Sequence, residues 1–501
     1  MASGVSWLVK FYFSYIFIFF LFVICMKKVK SDIRADHPVV AKKIDDSLKL
    51  SIKEGSLASI SSGLGLSYFS PFALAMNATA SQIGILHAVV SLLPAFVQLK
   101  ASALLERFSR KRIVLTGVMI KMLLLIPIIL TGVLFYYGVP HMVWVLIGLL
   151  GLFYAFAAVN HPAWFSWMGS LVPEEKRGRY FSRRNRAAGF FGVITMIAGA
   201  LVLDYVKSFG GVSGDVLGFT LLGFGLLFVV SGLVRLWSWT LLARQYEPRL
   251  KVRKKDEFSF WSFLKMAPHT AFGRFTLFRG AIAIVVGVAG PFWVVYMLRN
   301  LGFSYVWFMA ITVSGTLFQL MFLPLLGKFS DRFGNIKLMR ICSILIFLVP
   351  GLWLLSALIS SDILVKVYLL FVPAIFSGFA WAGYNLAANN YVYDAVKQRK
   401  QAFGVAYMNL LVGVGTFIGA SIGSLIAWIG VPFMNVILFI FAISMIGRFF
   451  VAIFGVRFLH EVRHVHKFSS HYLVKEFKPV EGIVREVHHL EHIVEKIEHH
   501  I

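Results

Sequence analysis

The sequence predicts an all-α polytopic membrane protein whose twelve transmembrane helices form two six-helix halves. Three observations carry that prediction: an apolar composition, a ladder of apolar runs, and basic residues that crowd into alternate loops. Of the 501 residues, 58% are apolar and 14% are charged, against roughly 45–50% and about 25% in soluble domains. A soluble chain so apolar could not cover its own core with polar surface. Membrane lipid must solvate much of it.

Crossing the hydrocarbon takes about 20 apolar residues in a helix. In the first half, residues 55–243, the runs are 55–76, 80–103, 113–137, 142–168, 187–206 and 215–243. In the second half, residues 275–457, they are 275–298, 304–326, 337–358, 364–390, 402–429 and 432–456. Backbone groups in lipid must bond internally, and no alternating strand pattern is present, so each run is expected to be a helix.

The loops set the orientation. Loop two–three carries Arg107, Arg110, Lys111 and Arg112, and loop four–five carries Lys176, Arg177, Arg179, Arg183, Arg184 and Arg186. The central loop, 244–274, is basic, as are loops eight–nine and ten–eleven with Lys328, Arg332, Lys337, Arg340, Lys397, Arg399 and Lys400. The opposite loops hold Lys207, Arg299 and Lys366. By the positive-inside rule the basic loops and the C-terminus are expected in the cytoplasm, which places the chain in the cytoplasmic membrane. The net charge of +26 is thus spread as topology signals. Nucleic-acid binding would gather it on a soluble domain instead. Cys25 and Cys342 each sit in an apolar run, as small buried hydrophobes do.

Residues 1–26 include a further apolar run, FYFSYIFIFFLFVICM, followed at once by KKVK. A cleaved signal would carry its charge before the run. The pattern fits an extra helix with its N-terminus outside, the alternatives being an interfacial segment or a misplaced start. Residues 27–54 read as an amphipathic cytoplasmic linker, with Ile44, Leu48 and Ile52 on one side and lysines on the other. The tail, 458–501, is rich in histidine and ends in a heptad-like seam of Ile483, Val487, Leu490, Val494, Ile497 and Ile501. A short coiled coil or a surface helix follows, so the chain is expected to be a monomer or to self-associate weakly through this helix. His488 and His492 stand four apart, a spacing that a polar helix face explains without a metal.

The halves repeat each other at an offset near 220 residues. Pro71-Phe72 answers Pro291-Phe292, and SALLERFSRKR at 102–112 answers GKFSDRFGNIK at 327–337. Ser170-Leu-Val answers Asp394-Ala-Val, and Ser231, Arg235 and Arg244 are spaced like Ser444, Arg448 and Arg457. Two parallel repeats are the architecture in which halves rock about a site at their interface.

With these motifs the chain resembles the major facilitator superfamily (MFS). The family's loop pattern G-x-L-x-D-R-x-G-R-R/K is matched from Gly327 through Asp331, Arg332 and Gly334. In the first half Ser102, Glu106 and Ser109 replace its glycine, aspartate and second glycine. The string PAWFSWMGSLVPEEKRGRYFSRRNR at 162–186 resembles a poorly characterised prokaryotic branch, with Ser170 where that branch carries an acid. The resemblance implies a secondary active or facilitative transporter moving a small organic solute by alternating access. A transporter-like sensor signalling through the histidine-rich tail is the alternative.

The same resemblance implies a cytoplasmic gate of Glu106, Arg107, Arg110, Arg177, Arg179, Gly327, Asp331, Arg332, Asp394 and Arg399. It places the substrate in a central cavity lined by spans one, four, seven and ten. Their polar and aromatic residues are Tyr68, Asn160, His161, Trp164, Trp167, Trp293, Tyr296, Trp381, Tyr384, Asn385, Asn389 and Asn390. No carboxylate is expected deep in the bundle, because Glu54 and Asp204 read as near span ends. Proton coupling would then fall to His87, Lys121 or His161. No other cofactor and no metal is expected. The chain has no H-E-x-x-H, no nucleophile elbow and no phosphate-binding loop, so neither an enzyme nor an ATP-driven pump is expected.

Overall fold

The structure, a computed structural model, describes residues 38–99, 108–173, 177–248, 260–396 and 401–462. The apolar run at 11–26, the heptad tail, and the gate residues Glu106, Arg107 and Arg399 lie outside the described residues.

All regular structure among the described residues is helical. The first half comprises α1 (Pro38–Leu64), a 3-10 turn (Leu66–Tyr68), α2 (Phe69–Ala75), α3 (Ala80–Leu99), α4 (Arg110–Tyr136), α5 (Met142–Leu171), α6 (Arg177–Ser213) and α7 (Val216–Arg244). A short α8 (Phe260–Met266) leads into the second half. That half comprises α9 (Ala271–Ala289), α10 (Phe292–Val295) with a π turn (Tyr296–Asn300), α11 (Tyr305–Phe333), α12 (Asn335–Leu355), α13 (Asp362–Ala395), α14 (Gln401–Ile429) and α15 (Val436–Phe454).

Eleven helices among the described residues are long and apolar enough to cross a membrane. The remaining expected span, 55–76, is divided between the end of α1, the 3-10 turn and α2. The boundary expected at residue 54 does not appear, since α1 runs unbroken from Pro38. The cause is burial of its polar side. Ser47, Ser51 and Glu54 are buried, and they recur at the spacing that marks one helix face. Ile44 and Leu48, expected to face a membrane surface, pack instead against the core formed by Val114, Val118, Trp167 and Met168.

Helix starts follow local chemistry. The Ser109 hydroxyl accepts from Arg112 N at 3.2 Å, Asp215 from Gly218 N at 2.8 Å, and Asn435 from Ile437 N at 2.9 Å. Each satisfies an amide that the first turn leaves without a partner. Prolines 94, 127, 162, 324, 350 and 373 lie inside long helices, which membrane packing tolerates where neighbours satisfy the freed carbonyls.

The two halves pair their helices alike. In the first, α1 packs on α6 and α7, α5 on α3 and α4, and α4 on α7. In the second, α9 packs on α14 and α15, α13 on α11 and α12, and α12 on α15. These are the same pairings under the repeat. Contact between the halves runs along α3 with α14 and α6 with α11, which the repeat also interchanges. The stripe of Gly415, Gly419 and Gly423 lies on α9, where a Cβ at Gly419 would stand 2.0 Å from the Ile284 carbonyl. Only a residue without a side chain allows backbones so close.

Candidate functional site

A cavity of about 190 Å³ lies at the seam of the halves. His87 of α3 enters it from the first half. Arg279, Val286 and Pro291, Trp381 and Tyr384, and Thr416 enter from the second. His87 Nε2 is 3.3 Å from the Ser70 hydroxyl. The guanidinium carbon of Arg279 stands 5.6 Å from the centre of the Tyr384 ring. Among the described residues its Nη1 also lies 3.8 Å from Met408 Sδ. Arg279 Nε and the buried Tyr384 hydroxyl have no hydrogen-bond partner there.

Of the residues expected in the cavity, the structure therefore brings Trp381 and Tyr384 together, joined by His87. The rest are placed elsewhere. Tyr68 is fully buried in the first half, its hydroxyl donating to the Met196 carbonyl. Asn160 packs on Gly117, and with its amide turned it donates to Ile113 O and accepts from Val118 N. Trp164 lies under the Arg184 guanidinium at 4.3 Å, and the buried Trp167 donates to the Tyr246 carbonyl at 2.8 Å. Trp293 stacks on Phe441 at 4.0 Å, and the Tyr296 hydroxyl meets Ser356 at 3.0 Å. His161 is exposed and stacks with Phe165, while Asn385 and Asn390 are half-buried and Asn389 is exposed. Lys121 lies 4.6 Å over the Phe153 ring, away from the cavity lining. Arg279 was missed by the sequence reading, although a lone arginine four residues inside an apolar run is a signal of an interior polar position.

Of the expected gate residues on the basic face, Arg110 and Asp394 make contacts inside their own halves. Arg110 is buried and donates from Nη1 to the Ser166 carbonyl at 2.9 Å and the Ser170 hydroxyl at 3.0 Å, and pairs with Glu247 at 3.3 Å. In the second half the Asn335 amide donates to Asp394 at 2.7 Å, and the Ser330 hydroxyl donates to Asn335 Oδ1 at 2.5 Å. Glu461 accepts from Ile336 N at 2.9 Å. Gly334 makes this possible, because its φ of +95° suits glycine and a Cβ there would stand 2.4 Å from Glu461. Asp331 is exposed, Gly327 and Arg332 are half-buried, and Arg177 and Arg179 lie in the first turn of α6.

Polar contacts across the seam between described residues are found on the opposite face. Asp204 of α6 accepts from the backbone amides of Tyr305 at 3.0 Å and Val306 at 2.9 Å, the first two residues of α11. The Ser424 hydroxyl of α14 donates to the Ser81 carbonyl of α3 at 2.7 Å. Phe224 packs edge-on against Tyr305 at 5.4 Å.

A buried charge cluster lies within the first half. Glu54 of α1 pairs with Arg184 of α6 at 3.2 Å and Arg235 of α7 at 3.4 Å, and accepts from the Ser238 hydroxyl at 3.2 Å. Glu54 stands where the charged first part of α1 gives way to its apolar part, and there it is buried.

Two structurally repeated helical halves with a cavity at their seam define a polytopic membrane transporter. The chain matches the Major Facilitator Superfamily profile over residues 55–287 and 275–479, and it belongs to that family. No curated protein matches it. Solved transporters share the fold. A bacterial homologue of the iron transporter ferroportin, in its inward-facing state, is 15% identical, with 84% of this chain and 99% of that chain covered and a TM-score of 0.58. For the nucleoside transporter NupG the figures are 14%, 84%, 97% and 0.53. For a bacterial homologue of the human lysosomal transporter Spinster they are 17%, 83%, 95% and 0.53.

Proposed function

We propose that this protein is a secondary carrier that moves a small organic solute across the cytoplasmic membrane by alternating access, with its basic face in the cytoplasm. The observation that carries the reading is the seam itself. One cavity receives side chains from both halves, and the polar contacts that join the halves between described residues lie on the face away from the basic loops. A carrier needs a closed contact of this kind on one side of its site, exchangeable for a closed contact on the other. The Asp204 cap and the Ser81–Ser424 bond form the closed contact of the present state.

Spin labels at positions 208 and 300, in reconstituted protein with Cys25 and Cys342 replaced, measure the separation of the halves on that face. Two distance populations are expected, with the longer suppressed when S81C and S424C are cross-linked. A single separation that neither the cross-link nor Asp204→Asn alters would overturn the reading.

A further inference from the structure

We propose that the seam cavity is a binding site for a small organic anion with an apolar or aromatic body, held by Arg279 and Tyr384. This inference rests on the carrier reading for the cavity's use in transport, but the binding site stands on its own geometry.

Arg279 lies within a membrane-spanning segment and faces the cavity. Intramembrane arginines are costly and are retained where they pair or bind. Glu54 pairs with Arg184 and Arg235, and Glu247 pairs with Arg110. Arg279 has no carboxylate partner among the described residues, and none of the cavity-lining residues is acidic. The cavity's own polar groups are the guanidinium, the Tyr384 phenol, the Thr416 hydroxyl, the His87 ring and the Trp381 indole N–H.

The second observation is independent of charge. Among the described residues the buried Tyr384 hydroxyl has no acceptor, its polar neighbour being the Arg279 guanidinium, and such a group costs free energy unless a ligand supplies an acceptor. A guanidinium and a phenol, both donors turned to one cavity, match the oxygens of a carboxylate, phosphonate or phosphate. The remaining lining, from Val286, Pro291, Ala420 and the Trp381 ring, is apolar. It suits the hydrocarbon or ring of the same molecule rather than a fully hydrated inorganic ion.

The purified full-length protein can be titrated with benzoate, phenylphosphonate and inorganic phosphate, with benzamide and benzylamine as neutral and cationic controls. Thermal unfolding and calorimetry report binding. Benzoate or phenylphosphonate is expected to raise the unfolding midpoint, and the controls are not. Arg279→Gln and Tyr384→Phe are each expected to weaken binding about tenfold or more, as loss of a hydrogen bond to a charged group does. Arg279→Lys is expected to recover part of that loss through charge alone. Inorganic phosphate binding as well as the aromatic anions would overturn the amphipathic part of the proposal. The whole is overturned if benzamide or benzylamine stabilises as well as benzoate, if no anion stabilises, or if Arg279→Gln binds benzoate with unchanged affinity. The spin-label distances decide the carrier reading without any ligand, so failure of the anion site and failure of the carrier are separable.

Discussion

In the first half, Glu54 stands between Arg184 and Arg235 and the charges close on one another. The offset that carries Pro71 onto Pro291 carries Glu54 onto Arg274. The partner of Arg235 under the repeat is Arg448, which is buried and donates to the Ile346 carbonyl at 3.2 Å. Nε of both Arg274 and Arg448 lacks a partner among the described residues. Helix pairing is thus the same in the two halves, while the handling of charge is not. One half places a carboxylate between two of its buried arginines. The other keeps guanidinium groups turned to carbonyls or to the cavity. A duplicated fold constrains which helices touch but leaves each buried polar position free to diverge.

The strongest way to break this comparison is Glu54→Gln. Removing one partner from a buried ion cluster typically costs about 3–5 kcal/mol, and here two arginines would lose their counter-charge. A large drop in the thermal midpoint of the purified protein is expected. Arg448→Met, by contrast, removes a buried cation that has no acid beside it and should leave the midpoint level or raise it. Equal destabilisation by both substitutions would show that the halves handle charge alike.

Asp204→Asn comes next. It keeps the side-chain shape but removes the charge that caps α11, a loss of about 1.5–3 kcal/mol for hydrogen bonds to a charged group. The population with halves separated on that face should rise by about tenfold or more, read from the same spin-label pair. An unchanged distribution would mean that the cap does not hold the seam.

Exchanging the basic-face residues sharpens the contrast further. Asp394→Ser gives the second half the residue of the first, and removes the carboxylate acceptor of the Asn335 amide at a cost of about 1.5 kcal/mol. Ser170→Asp places a second carboxylate beside Arg110 and should stabilise the first half slightly. A thermal scan that reversed these signs would contradict the local geometry.

The smallest effect is expected where the halves agree. The Ser231 hydroxyl donates to the Ser61 carbonyl at 2.8 Å, and the Ser444 hydroxyl to the Val285 carbonyl at 2.6 Å. Each joins the sixth helix of its half to the first. Ser231→Ala and Ser444→Ala should each cost about 0.6 kcal/mol, as interhelical hydrogen bonds in membranes do on average. Clearly unequal costs would extend the asymmetry to the packing itself.

Much of the fold was legible because span length and loop charge are one-dimensional properties. The repeat could be read for the same reason, since Pro71 with Pro291 and Ser231 with Ser444 are matches of position. Facing was not legible. These helices are apolar around most of their circumference, so periodicity does not say which side of α5 or α9 meets the cavity. Trp293 and Tyr296 were assigned to the cavity by span number, yet the break at the π turn gathers them with Trp353, Phe441 and Ser356. Glu54 reads as a charge beside an apolar run, and that position alone does not show its burial between two arginines. Its true setting depends on Arg184 and Arg235, more than a hundred residues away in the chain.

The Asp204 cap has a consequence for water. While the face is shut, the first two amides of α11 are satisfied by a carboxylate from the other half. When the halves part, those amides and that carboxylate each need new partners, and on that face only solvent can supply them all at once. In the proposed carrier cycle, opening is therefore a hydration step as well as a rigid-body motion. Osmolytes excluded from the crevice should favour the shut state in proportion to the waters that enter, and the slope of the spin-label populations against osmotic pressure would count them.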